Sequence, residues 1–119
     1  MLPRHDLSGN EKKLLETIKD FIAKDIRTHH TIADLAEQFG INRDKLKKQF
    51  HQHTGTGLYE YLKQVRLERS VSLLDETGKT VEVIAHLSGY TNASSFIHAF
   101  KKQYGITPLQ YRTNGLPLG

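Results

Sequence analysis

Two clusters of basic side chains are the residues best placed to do chemistry, and the chemistry that they favour is the binding of a polyanion. The first cluster consists of Arg43, Lys45, Lys47 and Lys48, and it is interrupted only by Asp44. No acidic residue follows Glu82, and the second cluster lies beyond it, at Lys101, Lys102 and Arg112. Patches of one sign attract polyanions such as nucleic acid. An isolated run of charge is more often a solvated helix face. The helices that carry these residues therefore determine which of the two interpretations holds.

Length and composition bound the possible classes of protein. The 119 residues, 37% hydrophobic and 25% charged, suffice for one domain or two very small ones sharing a core. Cysteine is absent, which excludes a disulfide scaffold, a thiolate zinc site and a cysteine nucleophile. No apolar run is long enough to span a bilayer, and residues 1–6 lack the hydrophobic stretch of a signal peptide. We expect a cytoplasmic protein without a membrane partner.

Enzymatic readings find little support. The seven histidines include the adjacent pair His29 and His30, and also His51 and His53 two positions apart. Neither pair has the i,i+4 spacing of helical zinc sites, so we expect surface residues and no metal site. The serines at 94 and 95 lack a nucleophile-elbow context, and no glycine-rich phosphate loop is present. The sequence therefore predicts no enzyme, no catalytic residue and no cofactor.

The chain reads as a series of helices, and the fold class is predicted to be all-α. Ser8 with Glu11 forms a capping box that begins a first helix over residues 10–27. Apolar spacing, caps and glycine stops then predict helices over 32–39, 43–53, 58–76, 81–88, 93–104 and from 108 onward, about seven in all.

An internal repeat organises these helices. Four residues recur at a shift of 49, namely Thr31, Leu35, Ala36 and Gly40 as Thr80, Ile84, Ala85 and Gly89. Three more recur at a shift of 50, namely Phe50, Gly55 and Tyr61 as Phe100, Gly105 and Tyr111, so the second turn has one extra residue. We predict a linker or tail at 1–9, a first helix-turn-helix unit at 10–55, a linker helix at 56–77, a second unit at 78–112 and a frayed tail at 113–119.

Each copy has the features of a helix-turn-helix. A small residue, Ala36 or Ala85, lets the second helix cross closely over the first, and the glycine four residues later allows the tight turn. Aromatic and aliphatic side chains close a small core beneath the second helix. The expected core residues are Leu35, Ala36, Leu46, Phe50, Ile84, Ala85, Phe96, Phe100 and Tyr111.

The outer faces of the two second helices are the candidate contacts with double-stranded DNA. An α-helix fits the major groove, where Lys and Arg donate to guanine and small residues approach the thymine methyl. The candidate base contacts are Arg43, Asp44, Lys47, Lys48, Ala93, Ser94, Ile97 and His98. The candidate phosphate contacts, several of them also helix caps, are Thr31, Asn42, Thr80, Asn92, Lys101, Lys102 and Thr107. The linker helix spans roughly 28 Å, compatible with grooves about 34 Å apart.

The second copy carries a long motif that identifies a family. Its residues run Ile84-Ala85-x-x-x-Gly89-Tyr90-x-Asn92-x-Ser94-x-Phe96-x-x-x-Phe100-Lys101-Lys102-x-x-Gly105-x-Thr107-Pro108-x-x-Tyr111-Arg112. This closely resembles the signature of AraC/XylS-family transcription regulators, and the likeness extends over residues 10 to 112. The resemblance implies a domain with two helix-turn-helix units that binds promoter DNA in adjacent major grooves, usually to activate transcription. It also implies RNA polymerase as a partner.

Three positions depart from the family pattern. His98 stands where Arg is frequent, so a pH-sensitive contact is expected there. Ser70 replaces an alanine of the linker helix, which implies a local packing change. Gln49 replaces an apolar residue and is expected to loosen the first unit.

Two questions stay open at this point. Many family members carry a sensing and dimerisation domain ahead of this one, so the chain is either a short regulator or a fragment, and the stretch from Pro3 to Gly9 favours a fragment. The alternative function is a helical protein–protein adaptor, for which Tyr59 and Tyr90 are the candidate exposed aromatics. RNA binding lacks an aromatic stacking platform and an arginine-rich arm.

Overall fold

Seven helices and no strand make up the part of the chain that the computed structural model describes, residues 7–115. They are α1 (Gly9–Lys24), α2 (Ile32–Phe39), α3 (Arg43–Thr54), α4 (Leu58–Glu76), α5 (Val81–Leu87), α6 (Ala93–Tyr104) and α7 (Pro108–Asn114). The predicted all-α fold class is confirmed. None of these helices is long and apolar enough to cross a membrane.

The chain divides into two compact units, and the boundary between Lys63 and Gln64 falls inside α4. The amino-terminal part of α4 contributes Leu58 and Leu62 to the core of the first unit. Its carboxy-terminal part contributes Leu67 and other leucines to the core of the second unit. The predicted linker helix is thus a packed part of each unit.

The first core joins α1, α2, α3 and the start of α4. It consists of Leu15, Ile18, Ile22, Leu35, Ala36, Leu46, Phe50, Leu58 and Leu62. The apolar residues of α1 recur at three- and four-residue intervals, so burial of one stripe holds α1 against the helix-turn-helix. Phe50 is fully buried and meets Tyr61 edge-on at 5.2 Å between ring centroids.

The second core is built in the same way from the later helices. It consists of Leu67, Leu73, Leu74, Ile84, Ala85, Phe96, Ala99, Phe100 and Tyr111. Phe100 lies at its centre, with ring centroids 5.8 Å from Phe96, 4.6 Å from Tyr104 and 6.0 Å from Tyr111. All nine residues that the sequence assigns to the core are buried in one of the two cores.

Helix α1 ends at Lys24, whereas the sequence predicts that it continues to residue 27. Asp25 has φ −146° and ψ 63°, outside the helical region. Its carbonyl oxygen accepts hydrogen bonds from the Thr28 amide at 3.2 Å and from His30 Nε2 at 2.8 Å. Helix α1 also begins one residue earlier than expected, at Gly9.

Three further boundaries differ. Helix α3 continues through Thr54, α5 ends at Leu87, and α7 continues through Asn114, two residues into the predicted frayed tail. The Gly115 amide donates to the Tyr111 carbonyl at 2.6 Å, which prolongs the hydrogen-bonded backbone there. The rest of the predicted tails, residues 1–6 and 116–119, lies outside the described residues.

Two polar contacts hold α3 against α1. Gln49, buried on the inner side of α3, donates from Nε2 to Oε2 of Glu11 at 2.6 Å. His53, one turn later, donates from Nε2 to Oε1 of Glu16 at 2.8 Å. The expected loosening at Gln49 is therefore met by a bond to α1, although its own Oε1 is buried without a hydrogen-bond partner among the described residues.

Replacement of Phe100 by alanine is expected to destabilise the second unit by about 3–5 kcal/mol, because a fully buried ring leaves a cavity. Thermal unfolding followed by circular dichroism measures the effect. Leu109→Ala is the matched control in the same unit, since Leu109 is 63% exposed and its removal should change stability by less than about 0.5 kcal/mol. A melting temperature for the Phe100 variant within a degree of the unaltered chain would contradict the role of this ring.

The contact between α1 and α3 predicts a pH-dependent stability. The hydrogen bond from His53, helped by the charge of Lys19, holds the pKa of the Glu16 carboxyl below its usual 4.5. A carboxyl with a lowered pKa stabilises the folded state above its unfolded pKa, and this stabilisation is lost as the pH falls through the folded value. Glu16→Gln should therefore melt earlier than the unaltered chain at pH 6, and the difference should vanish well below pH 4.5.

Glu37→Gln is the control, because Glu37 is an exposed carboxylate of the same unit whose side chain has no hydrogen bond to any of the residues 7–115. A Glu16→Gln difference that persists unchanged at low pH would show that the charge of this carboxyl is not what stabilises the fold.

Candidate nucleic-acid interface

The turn between α2 and α3 is set by one glycine and one cap. Gly40 adopts φ 64° and ψ 38°, the left-handed region that L side chains rarely occupy. The Ile41 amide then donates back to the Ala36 carbonyl at 3.0 Å. Asn42 begins α3, with its side-chain oxygen accepting from the Lys45 amide at 3.1 Å.

The turn between α5 and α6 reproduces these bonds. Gly89 has φ 92°, and the Tyr90 amide donates to the Ala85 carbonyl at 3.0 Å. Asn92 caps α6 by accepting from the Ser95 amide at 2.8 Å. The hydrogen bond across the turn recurs at a shift of 49 residues, and the asparagine cap recurs at a shift of 50. Thr91 is therefore the extra residue of the second turn. The repeat in the sequence is therefore a repeat in backbone geometry.

The outer face of α3, formed by Arg43, Asp44, Lys47 and Lys48, is exposed along its whole length. The opposite side of the helix is buried through Leu46 and Phe50. Among the described residues, none of the four outer side chains has an ion-pair or hydrogen-bond partner within the protein. Cations and one carboxylate are thus left available to an external ligand.

The outer face of α6 holds the other four candidate base contacts in a different state. Ser94 and His98 are exposed, whereas Ala93 and Ile97 are half-buried and pack against the edge of the second core. Both Lys101 and Lys102, near the end of the helix, are exposed. The structure therefore brings together the α6 candidates on one side of the helix, as it does those of α3.

The polar residues proposed for phosphate contact are all helix caps, apart from the two lysines. The threonine hydroxyls accept amide hydrogen bonds at 3.0 Å for Thr31, 3.2 Å for Thr80 and 3.1 Å for Thr107. In this arrangement each hydroxyl oxygen accepts, and its hydrogen stays available as a donor. The amide groups of Asn42 and Asn92 likewise accept through oxygen and keep their N–H donors. The capping role is thus compatible with a phosphate contact.

Arg112 does not belong to the free basic cluster in which the sequence places it. It is half-buried, and its guanidinium donates to the Lys79 carbonyl at 2.7 Å and to the Thr77 carbonyl at 3.3 Å. The neighbouring Tyr111 hydroxyl donates to Asp75 Oδ1 at 2.6 Å, and this hydrogen bond together with burial raises the pKa of Tyr111 to about 12. Tyr111 thus ties α7 to the end of α4, and Arg112 ties it to the segment that connects α4 and α5.

The histidines also differ from expectation in one case. His30 is only 7% exposed, because its ring packs edge-on to Phe21 and its Nε2 donates to the Asp25 carbonyl. The prediction that it lies on the surface is wrong. His29 and His51 are exposed. No group of three or more metal-ligating side chains comes together within residues 7–115.

Two further polar or aromatic positions can be placed. Ser70 is fully buried in α4, where its hydroxyl donates to the Leu67 carbonyl at 2.6 Å, so it needs no partner outside its own helix. Tyr90 is half-buried against the second core, 5.4 Å from Phe96 between ring centroids. Tyr59 is 71% exposed, which leaves it as the one candidate adaptor aromatic on the described surface.

Comparison with known proteins identifies the arrangement. A family profile described as a helix-turn-helix domain matches residues 35–114. An AraC-like transcription regulator of Streptomyces lividans is 33% identical over 106 residues, covering 89% of this chain and 35% of that protein. The transcriptional activator CfaD of Escherichia coli is 29% identical over 82% of this chain and 37% of its own length. The chain thus spans about a third of the length of the curated relatives that it matches.

Solved structures show the same fold. The C-terminal domain of the response regulator yesN from Fusobacterium nucleatum is 33% identical, with a TM-score of 0.73 over 87% of this chain and 99% of that one. The C-terminal domain of AraT from Geobacillus stearothermophilus is 26% identical, with a TM-score of 0.80 over 96% and 92%. The DNA-binding domain of AdpA, solved in complex with a target DNA, has a TM-score of 0.77 over 83% and 89%, at 20% identity.

The duplicated helix-turn-helix geometry, the matching family profile and these relatives confirm the resemblance found in the sequence. The chain belongs to the AraC/XylS family of DNA-binding transcription regulators.

Proposed function

We propose that the chain binds promoter DNA through α3 and α6, which enter successive major grooves, and that it regulates transcription as an activator. The observation that carries the proposal is the pair of second helices, each buried on one side and capped by asparagine, with an outer face open to solvent. A recognition helix needs this arrangement, because one side must hold it in place while the other reaches the base edges.

On α3 we expect direct contacts with bases. Arg43, Lys47 and Lys48 carry donors that match guanine O6 and N7, and Asp44 can accept from cytosine N4. All four are exposed and unpaired within the described residues, so binding requires no internal ion pair to break. On α6 the corresponding contacts are Ala93, Ser94, Ile97 and His98.

Phosphate contacts would fix the register of each unit on the duplex. The amino-terminal end of each recognition helix carries free backbone N–H groups and a positive dipole end, which suit phosphate oxygens. Asn42 and Asn92 lie at these ends. Thr31, Thr80 and Thr107 add hydroxyl donors at the ends of α2, α5 and α7, and Lys101 and Lys102 add charge.

Regulation of transcription requires partners besides DNA. An activator must also contact RNA polymerase, and CfaD is a relative named as an activator. The greater length of the curated relatives supports a further sensing or dimerisation domain in the whole protein. We place its action in the cytoplasm, where promoter DNA is accessible, and propose neither catalysis nor a cofactor.

The direct test is selection of the polypeptide against a random duplex pool at near-physiological salt, followed by sequencing. We expect enrichment of an asymmetric motif with two blocks about 10 bp apart, the spacing of successive major grooves. Binding without enrichment would contradict sequence-specific recognition by this chain. An absence of binding would instead favour the adaptor alternative, with the exposed Tyr59 as the first residue to examine.

Lys101→Ala should weaken binding to every sequence alike, since a phosphate contact carries no base information. The slope of the logarithm of the binding constant against the logarithm of salt concentration should fall by about 1, as expected for one lost phosphate contact. Titrations of a labelled duplex at several salt concentrations measure this slope.

Lys24→Ala is the matched control, because it removes the same charge from an exposed position at the end of α1, outside both recognition helices. An unchanged slope for the Lys101 variant would show that this lysine does not contact phosphate.

A further inference from the structure

The two recognition helices share one backbone design but present opposite chemistry over their first two turns. Residues 43–50 of α3 carry four cations, Arg43, Lys45, Lys47 and Lys48, and one carboxylate. Residues 93–100 of α6 carry no formal charge when histidine is neutral. The first turns of a recognition helix are the ones that contact base edges, so this difference falls on the reading residues.

The base edges in the major groove differ in which of these two surfaces they bind. Guanine presents the acceptors O6 and N7, which lysine and arginine match, whereas thymine presents a C5-methyl group, which small apolar side chains contact. Serine contacts several bases and discriminates little. The chemistry of α3 is therefore matched to guanine and that of α6 to thymine.

We propose that α6 recognises a thymine-containing block of the DNA site through methyl contacts with Ala93 and Ile97, while α3 recognises a guanine-containing block through its lysines and arginine. This proposal rests on the proposed function, and it assigns a base class to each half of the site.

The placement of the two apolar residues suits this role. Ala93 and Ile97 are one helical turn apart, on the same side of α6. Each is half-buried, with its inner atoms packed on the second core and the rest of its surface open to solvent. Packing and the branched β-carbon of Ile97 restrict its rotamer, so little side-chain entropy is lost when a methyl group meets it.

The residues of α6 that form the core differ in burial from those proposed to contact bases. Phe96, Ala99 and Phe100 already close the second core from within and are buried. Ala93 and Ile97 lie outside them, at the margin of the core, where apolar surface remains accessible. A contact with a thymine methyl group requires apolar surface of this kind.

The test changes the DNA and leaves the protein intact. In the duplex selected by the unaltered chain, each thymine is replaced in turn by uracil, which removes only the methyl group. The block whose base preference relaxes in the Lys47→Ala variant is the one that α3 contacts. In the other block, we expect at least one uracil replacement to weaken binding about fourfold, the effect of one methyl-sized apolar contact.

Uracil replacements within the α3 block and in the flanking sequence serve as controls and should leave affinity unchanged. Equal losses in both blocks, or no loss in the α6 block, would overturn the proposal. So would a Lys47→Ala variant that relaxes neither block, or an α6 block without thymine. Failure to select any two-block motif would instead remove the proposed function on which this proposal depends.

A protein variant then tests which side chain the methyl group meets. Ile97→Ala should weaken binding to the thymine duplex and make the uracil replacement nearly without effect, because the contact is already lost. Leu109→Ala, which shortens an exposed apolar side chain on α7, should preserve the full uracil effect. Full retention of the uracil effect in both Ile97→Ala and an Ala93→Gly variant would exclude these residues as the methyl contacts.

Discussion

Phe50 and Phe100 occupy equivalent places in the two units, and their burial is the interaction on which the rest of the structure depends. Each ring is fully buried at the inner side of a second helix and meets the tyrosine eleven positions later, Tyr61 or Tyr111. Units of this size bury a smaller share of their surface than larger domains do, so one large ring is a substantial part of the core. Anchored on one side by this ring, the helix can leave its other side exposed.

The outer faces of α3 and α6 differ in composition although the turns that precede the two helices are alike. Both units have a glycine with positive φ, an asparagine cap and a hydrogen bond from a backbone amide across the turn, and the lengths of the corresponding hydrogen bonds agree within 0.3 Å. None of these features involves an outer side chain of α3 or α6. The same turn and cap can therefore precede a helix with lysines on its outer face in one unit and a helix with uncharged residues there in the other.

Local signals made most of the fold predictable. Caps such as Thr31 and Asn42 and the glycine at position 40 act within a few residues, so their effect can be recognised in a short window of sequence. The end of α1 at Lys24 differs from the prediction because Asp25 is not a helix breaker by type. Its carbonyl is taken by His30, whose ring is held by Phe21, and that contact exists only in the folded chain.

Long-range pairs account for the remaining differences. Gln49 donates a hydrogen bond to Glu11, and Arg112 donates to two carbonyls of the segment between α4 and α5. In each case the partners are 33 or more residues apart in the sequence. No periodicity or motif encodes such a partner, since many residues could fill each role. The candidate base-contacting residues could be listed from the helix periodicity alone, but their unequal burial on α6 could not.

The sequence by itself determined the helices, their duplication and the family, because caps, glycine turns and apolar spacing are local and the repeated pattern is long. Only the tertiary structure decided which charged and polar groups stay free. Arg112, Gln49 and His53 are engaged within the protein, whereas Arg43, Lys47 and Lys48 have no partner among the described residues. The physical reason is that a side chain's availability depends on the neighbours that packing brings to it, and these come from distant parts of the chain.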